Sequence, residues 1–347
     1  MKILFITHRY PPQTGGIETH VREIAVRLAE RGHDVSVFTA DSETGVPSRE
    51  TIDDVSIRRF QSVTVNNSFH FAPQLALAIR GTDADIVHAH NYHSFPLLFA
   101  AVGVGDEQFV VTTHYHGQSQ RRVWDSLLSL YRPLGRWAVK QADRVIAVSD
   151  WERDKLHTDL GLNATVIPNG VSTDRFDNID TIDRARPYLL TVGRLEEYKG
   201  VQHIIRAMRL LSSYDLLVVG SGQHQTRLKE IAIEQGVSDR VSFLGYIDDD
   251  DLAKLYVNAE VYLSMSETEA YGMTIAEALA AGTPCVVRCA AALQDWTQHD
   301  GTVGVSTVSP ESIQQAVQTA TKLDQPTLEN RSWDDITAKL LDVVYTR

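Results

Sequence analysis

Two glutamates eight positions apart, Glu269 and Glu277, bracket the turn in SETEAYGMTIAEALAAGTPCVV, residues 266–287. The pattern is a strand end, a loop holding Gly272 and a helix that begins near Thr274. Amides of Gly272, Met273 and Thr274 would point outward from that helix start, where the macrodipole favours phosphate. One carboxylate would face out from the loop while the other reaches a different part of the same ligand. Each glutamate alone also reads as an ordinary loop charge or a solvated helix residue. A second segment, GRLEEYKG at 193–200, weighs against that. The strand YLLTV ends at Gly193, and Arg194 and Lys199 flank a turn closing at Gly200. A guanidinium and an ammonium at a strand end suit a diphosphate leaving group, because they neutralise charge that grows as the bond breaks.

Other candidates carry weaker signals. His88 and His90 lie in VHAHN, and His114 and His116 in THYHG. A structural role is the default for any single histidine, and no cysteine or carboxylate joins them at ligand spacing, so no metal site is expected. Gly15 and Gly16 follow the first strand through Pro11 and Pro12, and adjacent glycines let a bulky ligand approach the backbone. Their spacing does not match GxGxxG. Between residues 121 and 140, Arg121, Arg122, Arg132, Arg136 and Lys140 stand against Asp125 alone, interleaved with Trp124, Leu127, Leu128, Tyr131 and Trp137. This is either a helix with a solvated basic side or a docking face for anionic lipid headgroups or a lipid-linked acceptor phosphate.

The elements that must hold these residues alternate from the first residue. KILFIT, a helical stretch from Thr19 to Arg31, DVSVFTA, ADIVHAH, QFVVTTH, DRVIAVS and ATVIPNG follow βαβ grammar through residue 170. The polar stretch 171–186 reads as a connector. The alternation restarts with YLLTVG, DLLVVG, RVSFLG, AEVYLSM and TPCVV over 187–330. Residues 331–347 hold a last helix, with Ser332 as its N-cap, Ile336, Leu340, Val343 and Val344 at helical spacing, and an expected return to the N-terminal domain. At 347 residues the chain is too long for one growing core. The expected fold is α/β, two Rossmann-like doubly wound domains facing a central cleft.

Composition excludes other classes. The net charge of −12, with no basic arm, argues against nucleic-acid partners. Asp248 to Asp251 read as acidic residues at a helix start, not as a cation site. No apolar run approaches membrane-spanning length, the opening MKILFIT does not read as a signal peptide, and two cysteines, Cys285 and Cys289, fit free thiols in a reducing cytoplasm. Any contact with the inner face of the cell membrane would be peripheral.

The pairing of GRLxxxKG with ExxGMTIAE resembles glycosyltransferase family 4, a retaining family with the GT-B fold. The resemblance extends over nearly the whole chain through GGIETHVREIAVRLAERGHDVSVFTA, DIVHAHNYH, VVTTHYHG, VIPNGV, VVGSG and FLGYI. It implies transfer of a hexosyl group from a UDP- or GDP-sugar to a glycan, lipid-linked or small-molecule acceptor, with no metal and no cofactor. Arg194 and Lys199 would bind the donor diphosphate, assisted by the amides of Gly272 to Thr274. Glu277 would take the ribose hydroxyls, Glu269 the hydroxyls of the transferred sugar, and Gly245, Tyr246 and Ile247 would border the nucleobase. Gly15 and Gly16 would sit against donor phosphate or acceptor. His114 matches the family's active-site histidine, with His116 as the alternative. A non-catalytic nucleotide-sugar-binding subunit and a GT-B sugar-nucleotide epimerase are the competing functions.

Overall fold

The computed structural model describes residues 1–13, 15–41, 46–65, 69–117, 122–180 and 184–346, without the side chains of 64, 65, 69 and 122–130. It divides into two units, Met1–Gly170 with Trp333–Arg347, and Val171–Ser332.

The first unit runs β1 (Lys2–Thr7), α1 (Gly16–Glu30), β2 (Asp34–Thr39), β3 (Arg49–Ile52), β4 (Val55–Arg59), β5 (Val63–Val65), β6 (Phe69–Phe71), α2 (Gln74–Arg80), β7 (Ile86–His90) and α3 (Phe95–Gly103). It continues through β8 (Gln108–Thr112), α4 (Arg122–Lys140), β9 (Arg144–Ala147), α5 (Asp150–Leu160) and β10 (Thr165–Val166). Its eight-stranded sheet has the order β10-β9-β8-β7-β1-β2-β4-β3. All neighbours pair parallel except β3, which runs antiparallel to β4. Helices cover both faces of such a sheet, so its strands read as near-continuous apolar runs. Five of the six β1 residues and all five of β7 are buried. The second unit contains β11 (Tyr188–Val192), α6 (Val201–Ala207), β12 (Asp215–Val219), α7 (Gln225–Glu234), β13 (Val241–Gly245), α8 (Asp249–Val257) and β14 (Val261–Ser264). It ends with α9 (Met273–Ala280), β15 (Cys285–Arg288), α10 (Leu293–Trp296), β16 (Thr302–Val305) and α11 (Pro310–Ala320). Its six strands are all parallel, in the order β13-β12-β11-β14-β15-β16.

Each sheet reverses its direction of winding once, at β1/β7 in the first unit and at β11/β14 in the second. At such a reversal the crossovers leave in opposite directions and expose the carboxyl ends of the two central strands.

Several boundaries differ from the sequence expectation. α1 starts at Gly16, three residues before Thr19, because Gly15 caps the helix in an extended conformation and the helical turns begin directly after it. The two hairpins, β3/β4 and β5/β6, are not foreshadowed by their segments of only three to five residues. Residues 171–180 and 184–186 group with the second unit rather than standing as a connector, and Phe176 is buried edge-on against Tyr256. Val343 is exposed, although Ile336, Leu340 and Val344 are buried. Neither Cys285 nor Cys289 is in a disulfide.

The last helix, α12 (Trp333–Val343), is part of the first unit. Trp333 is buried edge-on against His20, and a Cβ on Gly170 would come within 2.6 Å of its ring. Tyr345 donates to, or accepts from, His88 Nδ1 at 2.6 Å. Trp333→Ala should cost the first unit about 3–5 kcal/mol, the usual range for emptying a buried tryptophan site. Hydrogen exchange should show protection lost across β7 and β8 and retained in β11 and β14.

Candidate active site

In the second unit, the strands at the reversal carry the charged residues. After β11 the chain passes Gly193, Arg194 and a short 3-10 turn at Glu197–Lys199 before Gly200 opens α6. Gly200 has φ 73° and lies so close to β14's end that a Cβ would fall 2.1 Å from the Met265 carbonyl oxygen. Only glycine fits there. This contact carries Lys199 to the loop after β14, where its Nζ pairs with Glu269 Oε1 at 2.5 Å. Arg194 Nη2 donates to Tyr198 Oη at 2.8 Å. Arg194, Lys199, Glu269 and Thr274 line one pocket together with Gly193 and Ser264. The geometry thus brings together four of the residues singled out in the sequence.

α9 begins one residue earlier than expected, at Met273, with Gly272 as a left-handed N-cap at φ 97°. The first-turn amides of a helix have no intrahelical acceptor, so Met273 and Thr274 present donors at this start. Thr274 Oγ1 accepts from the Tyr262 hydroxyl at 2.7 Å. Glu277 lies one turn on. Its Oε2 accepts from Tyr256 Oη at 2.9 Å, and Arg175 Nη1 stands 3.9 Å from Oε1. Burial pushes the Glu277 carboxyl above its ordinary range, while the Arg175 charge and the Tyr256 hydrogen bond pull it back. Gly245, at φ 70°, ends β13, and its carbonyl accepts from the Gly220 amide at 2.7 Å. Tyr246 follows with 77% of its surface exposed, which leaves a ring face open for stacking, and Ile247 is half-buried. Asp248 caps α8 by accepting from the Asp251 amide, so the acidic run is a helix start.

In the first unit the reversal gathers histidines. His114 follows β8 in a left-handed turn at φ 45° and is buried. Its Nε2 lies 3.5 Å from His90 Nδ1, and His20, from α1, packs edge-on against it. His20 Nδ1 is 2.8 Å from Asn169 Oδ1. His116 stacks instead on His93, with ring centroids 4.5 Å apart. His88 is held between the Tyr345 and Thr112 hydroxyls and has a structural role. Burial holds His114, His90 and His88 well below the ordinary histidine range, and His20 down to about 4, so all four rings are neutral at pH 7.

His20, His90 and His114 place three ring nitrogens within 4.8 Å of one another. Zinc bound at about 2.0–2.1 Å in tetrahedral geometry would hold nitrogens roughly 3.3 Å apart. The His90–His114 separation approaches that, and His20, with its Nδ1 against Asn169 Oδ1, keeps Nε2 as its remaining ligand atom. In the structure the three rings are packed against one another and hydrogen-bonded.

Gly15 makes room for a side chain of this chain itself: a Cβ there would lie 2.4 Å from Glu18 Oε2, while nothing stands within 4 Å of a Cβ on Gly16. Glu18 is buried and pairs with Arg9 Nε at 3.0 Å. Burial raises its carboxyl pKa against the pull of Arg9.

Arg121 and the side chains of residues 122–130, Arg122 and Trp124 among them, lie outside the described residues. Of the rest, Arg132 donates to the Asp159 carbonyl and Arg136 Nε to the Leu160 carbonyl at 2.6 Å, so both serve the end of α5. Tyr131 is buried and Trp137 exposed. Among the described residues, no helix is long and apolar enough to cross a membrane.

Sequence reasoning missed Glu18, His20, Arg175, Tyr256 and Glu152. Glu18 and His20 stand directly after the Gly-Gly pair, and Ser149 with Glu152 has the S-x-x-E signature of a helix start. Arg175 and Tyr256 carried no local signal.

Two doubly wound sheets, with an ionic pocket and a helix start at the second sheet's reversal, are the architecture of the GT-B fold. Solved structures share this fold over the whole chain. Sucrose-phosphate synthase from Thermosynechococcus elongatus matches with a TM-score of 0.83 at 20% identity, covering 99% of this chain and 98% of that one. Anabaena HepE, in complex with UDP and glucose, matches with 0.75 at 18% identity and full coverage of both. In sequence, residues 14–175 match the model "Glycosyltransferase Family 4" and residues 172–332 the model "Glycosyl transferases group 1". An uncharacterized glycosyltransferase of Methanocaldococcus jannaschii is 27% identical over 99% of this chain and 97% of its own length. Glycogen synthase of Mycobacterium tuberculosis is 29% identical over 95% of this chain and 88% of its own. The chain belongs to the family 4 glycosyltransferases.

Gly200→Ala tests the backbone contact that joins the two loops. The added methyl must displace the Met265 carbonyl and occupies a left-handed position costing roughly 1–2 kcal/mol. The Lys199–Glu269 pair should separate in a crystal structure of the variant, and its thermal midpoint should fall.

Proposed function

We propose that this enzyme moves a hexosyl group from a nucleotide diphosphate sugar to a glycan, lipid-linked or small-molecule hydroxyl, with retention of anomeric configuration and without a metal ion. The observation that carries the reading is the pocket where Arg194 and Lys199, on the loop after β11, meet Glu269 and the start of α9. Two fixed cations and helix-start amides supply the positive field that a departing diphosphate needs. HepE's complex with UDP and glucose supports a nucleotide and a sugar as ligands of this fold. A Mycobacterium tuberculosis relative, 26% identical, is named a GDP-mannose-dependent mannosyltransferase, so uridine and guanosine donors are both candidates.

Roles follow from chemistry and position. Lys199 exchanges its Glu269 partner for donor phosphate, which frees the Glu269 carboxylate to accept hydrogen bonds from hydroxyls of the transferred sugar. Arg194 takes a second phosphate oxygen, and Gly272, Met273 and Thr274 donate amide N–H groups. Glu277, oriented by Tyr256 and Arg175, accepts from the ribose hydroxyls, and Tyr246 stacks on the base beside Gly245 and Ile247. His114, neutral and buried, offers a hydrogen bond to a sugar hydroxyl, which needs no charge. Gly15 and Gly16 leave backbone accessible to phosphate or acceptor. The leaving diphosphate itself takes the proton of the acceptor hydroxyl as the new glycosidic bond forms.

Activity should persist in EDTA, and the product should keep the donor's anomeric configuration by NMR. Manganese-restored activity after chelation would overturn the metal-independent reading, and inversion would overturn retention. Lys199→Ala should lower kcat about a hundredfold, on the order of 3 kcal/mol, because its contribution grows as charge develops. Glu277→Ala should instead raise the donor KM with a smaller loss in kcat. A Lys199→Ala enzyme with normal kcat on a saturating donor would remove the leaving-group role.

A further inference from the structure

The turn that presents His114 is held from behind by one carboxylate. Glu152, in the first turn of α5, is fully buried. Its Oε1 accepts from Thr113 Oγ1 at 2.5 Å and from the Tyr115 amide, and its Oε2 accepts from the Val148 amide at 2.6 Å. Donors on both sides of His114 therefore converge on a single group, which is also tied to the chain just beyond β9. His114 between them has φ 45°, a left-handed conformation that a non-glycine residue keeps only when its surroundings enforce it.

Joining two strand ends does not by itself call for a charge. A buried carboxylate is costly without a cation, and Glu152 makes no ion pair among the described residues. What it offers is acceptor capacity on both oxygens, directed at two backbone N–H groups and a hydroxyl. An amide in its place would turn an NH2 toward one of those N–H groups and release it. Burial pushes the Glu152 carboxyl up to about 7, with the three hydrogen bonds opposing that rise.

We propose that Glu152 is a positioning residue that sets the left-handed turn at His114 and so fixes where the imidazole meets the transferred sugar. The proposal rests on the assignment of His114 to the donor sugar. It extends the functional set to a residue that would touch no substrate.

Glu152→Gln is the test, read three ways on the full chain. kcat should fall at least tenfold while the donor KM stays within about twofold. UDP or GDP binding, followed by calorimetry, should match the parent, because its residues lie in the second unit. The His114 imidazole resonances in a 15N-histidine spectrum should shift while those of His203 and His299 do not. Unchanged kcat together with unmoved His114 resonances would overturn the proposal, as would a loss of kcat accompanied by an equal loss of nucleotide binding. If the parent transfers sugar from no donor, the enzymatic reading fails, and the His114 resonances still decide the positioning role. Should Glu152→Gln not fold, Glu152→Asp, one methylene shorter, carries the same comparison.

Discussion

Parallel strands can be joined only by crossovers, and a sheet wound in both directions from its middle leaves one place that no crossover covers. Both sheets of this chain have such a place, at β1/β7 and at β11/β14. Elsewhere the strands are sealed by helices and carry apolar residues, so polar side chains concentrate where the winding reverses. Lys199, Glu269 and the start of α9 lie there in the second unit, and His90, His114 and Glu18 in the first. Position in the topology, more than any local motif, explains why these residues meet.

The two units solve the same exposure with different electrostatics. The second is ionic: a lysine and a glutamate in contact, an arginine beside them, and a helix start whose amides add to the field. Such a set exchanges one ionic partner for another with little reorganisation. The first is neutral: burial keeps its imidazoles uncharged, and they are held by ring packing and hydrogen bonds. Neutral imidazoles discriminate by hydrogen-bond direction and shape.

Much of this was legible in the residues. The β11 and β14 strands, the loops after them and the turn at Gly200 follow from apolar runs punctuated by glycine, and Arg194, Lys199, Glu269 and Thr274 do line one pocket. What was not legible depends on contacts distant in the chain. Glu277 reads as a helix residue, and nothing near it announces that Tyr256 and Arg175 will be its neighbours. Glu152 reads as part of a helix start, because the donors it serves lie far earlier in the chain, at Thr113 and Tyr115. The hairpins β3/β4 and β5/β6 escaped because strands of three to five residues are too short to show the alternation or apolar run that marks a longer one. Arg132 and Arg136 looked like a free basic face because a carbonyl partner leaves no trace in composition.

The buried histidines of the first unit tie its persistence to acidity. A ring held neutral in the folded chain regains its ordinary affinity for protons when the chain opens, so the open form binds more protons below about pH 6.5. Stability is therefore full above that pH and declines as pH falls toward the depressed folded values, by roughly 1.4 kcal/mol per pH unit for each such ring. His8, His20, His88, His90 and His114 all belong to this group. In the second unit the lowered histidines, His203 and His299, are only half-buried. Mild acid therefore draws on the first unit's buried imidazoles, while Glu18 and Glu152, whose raised carboxyls bind protons more tightly in the folded chain than in the open one, oppose part of that loss.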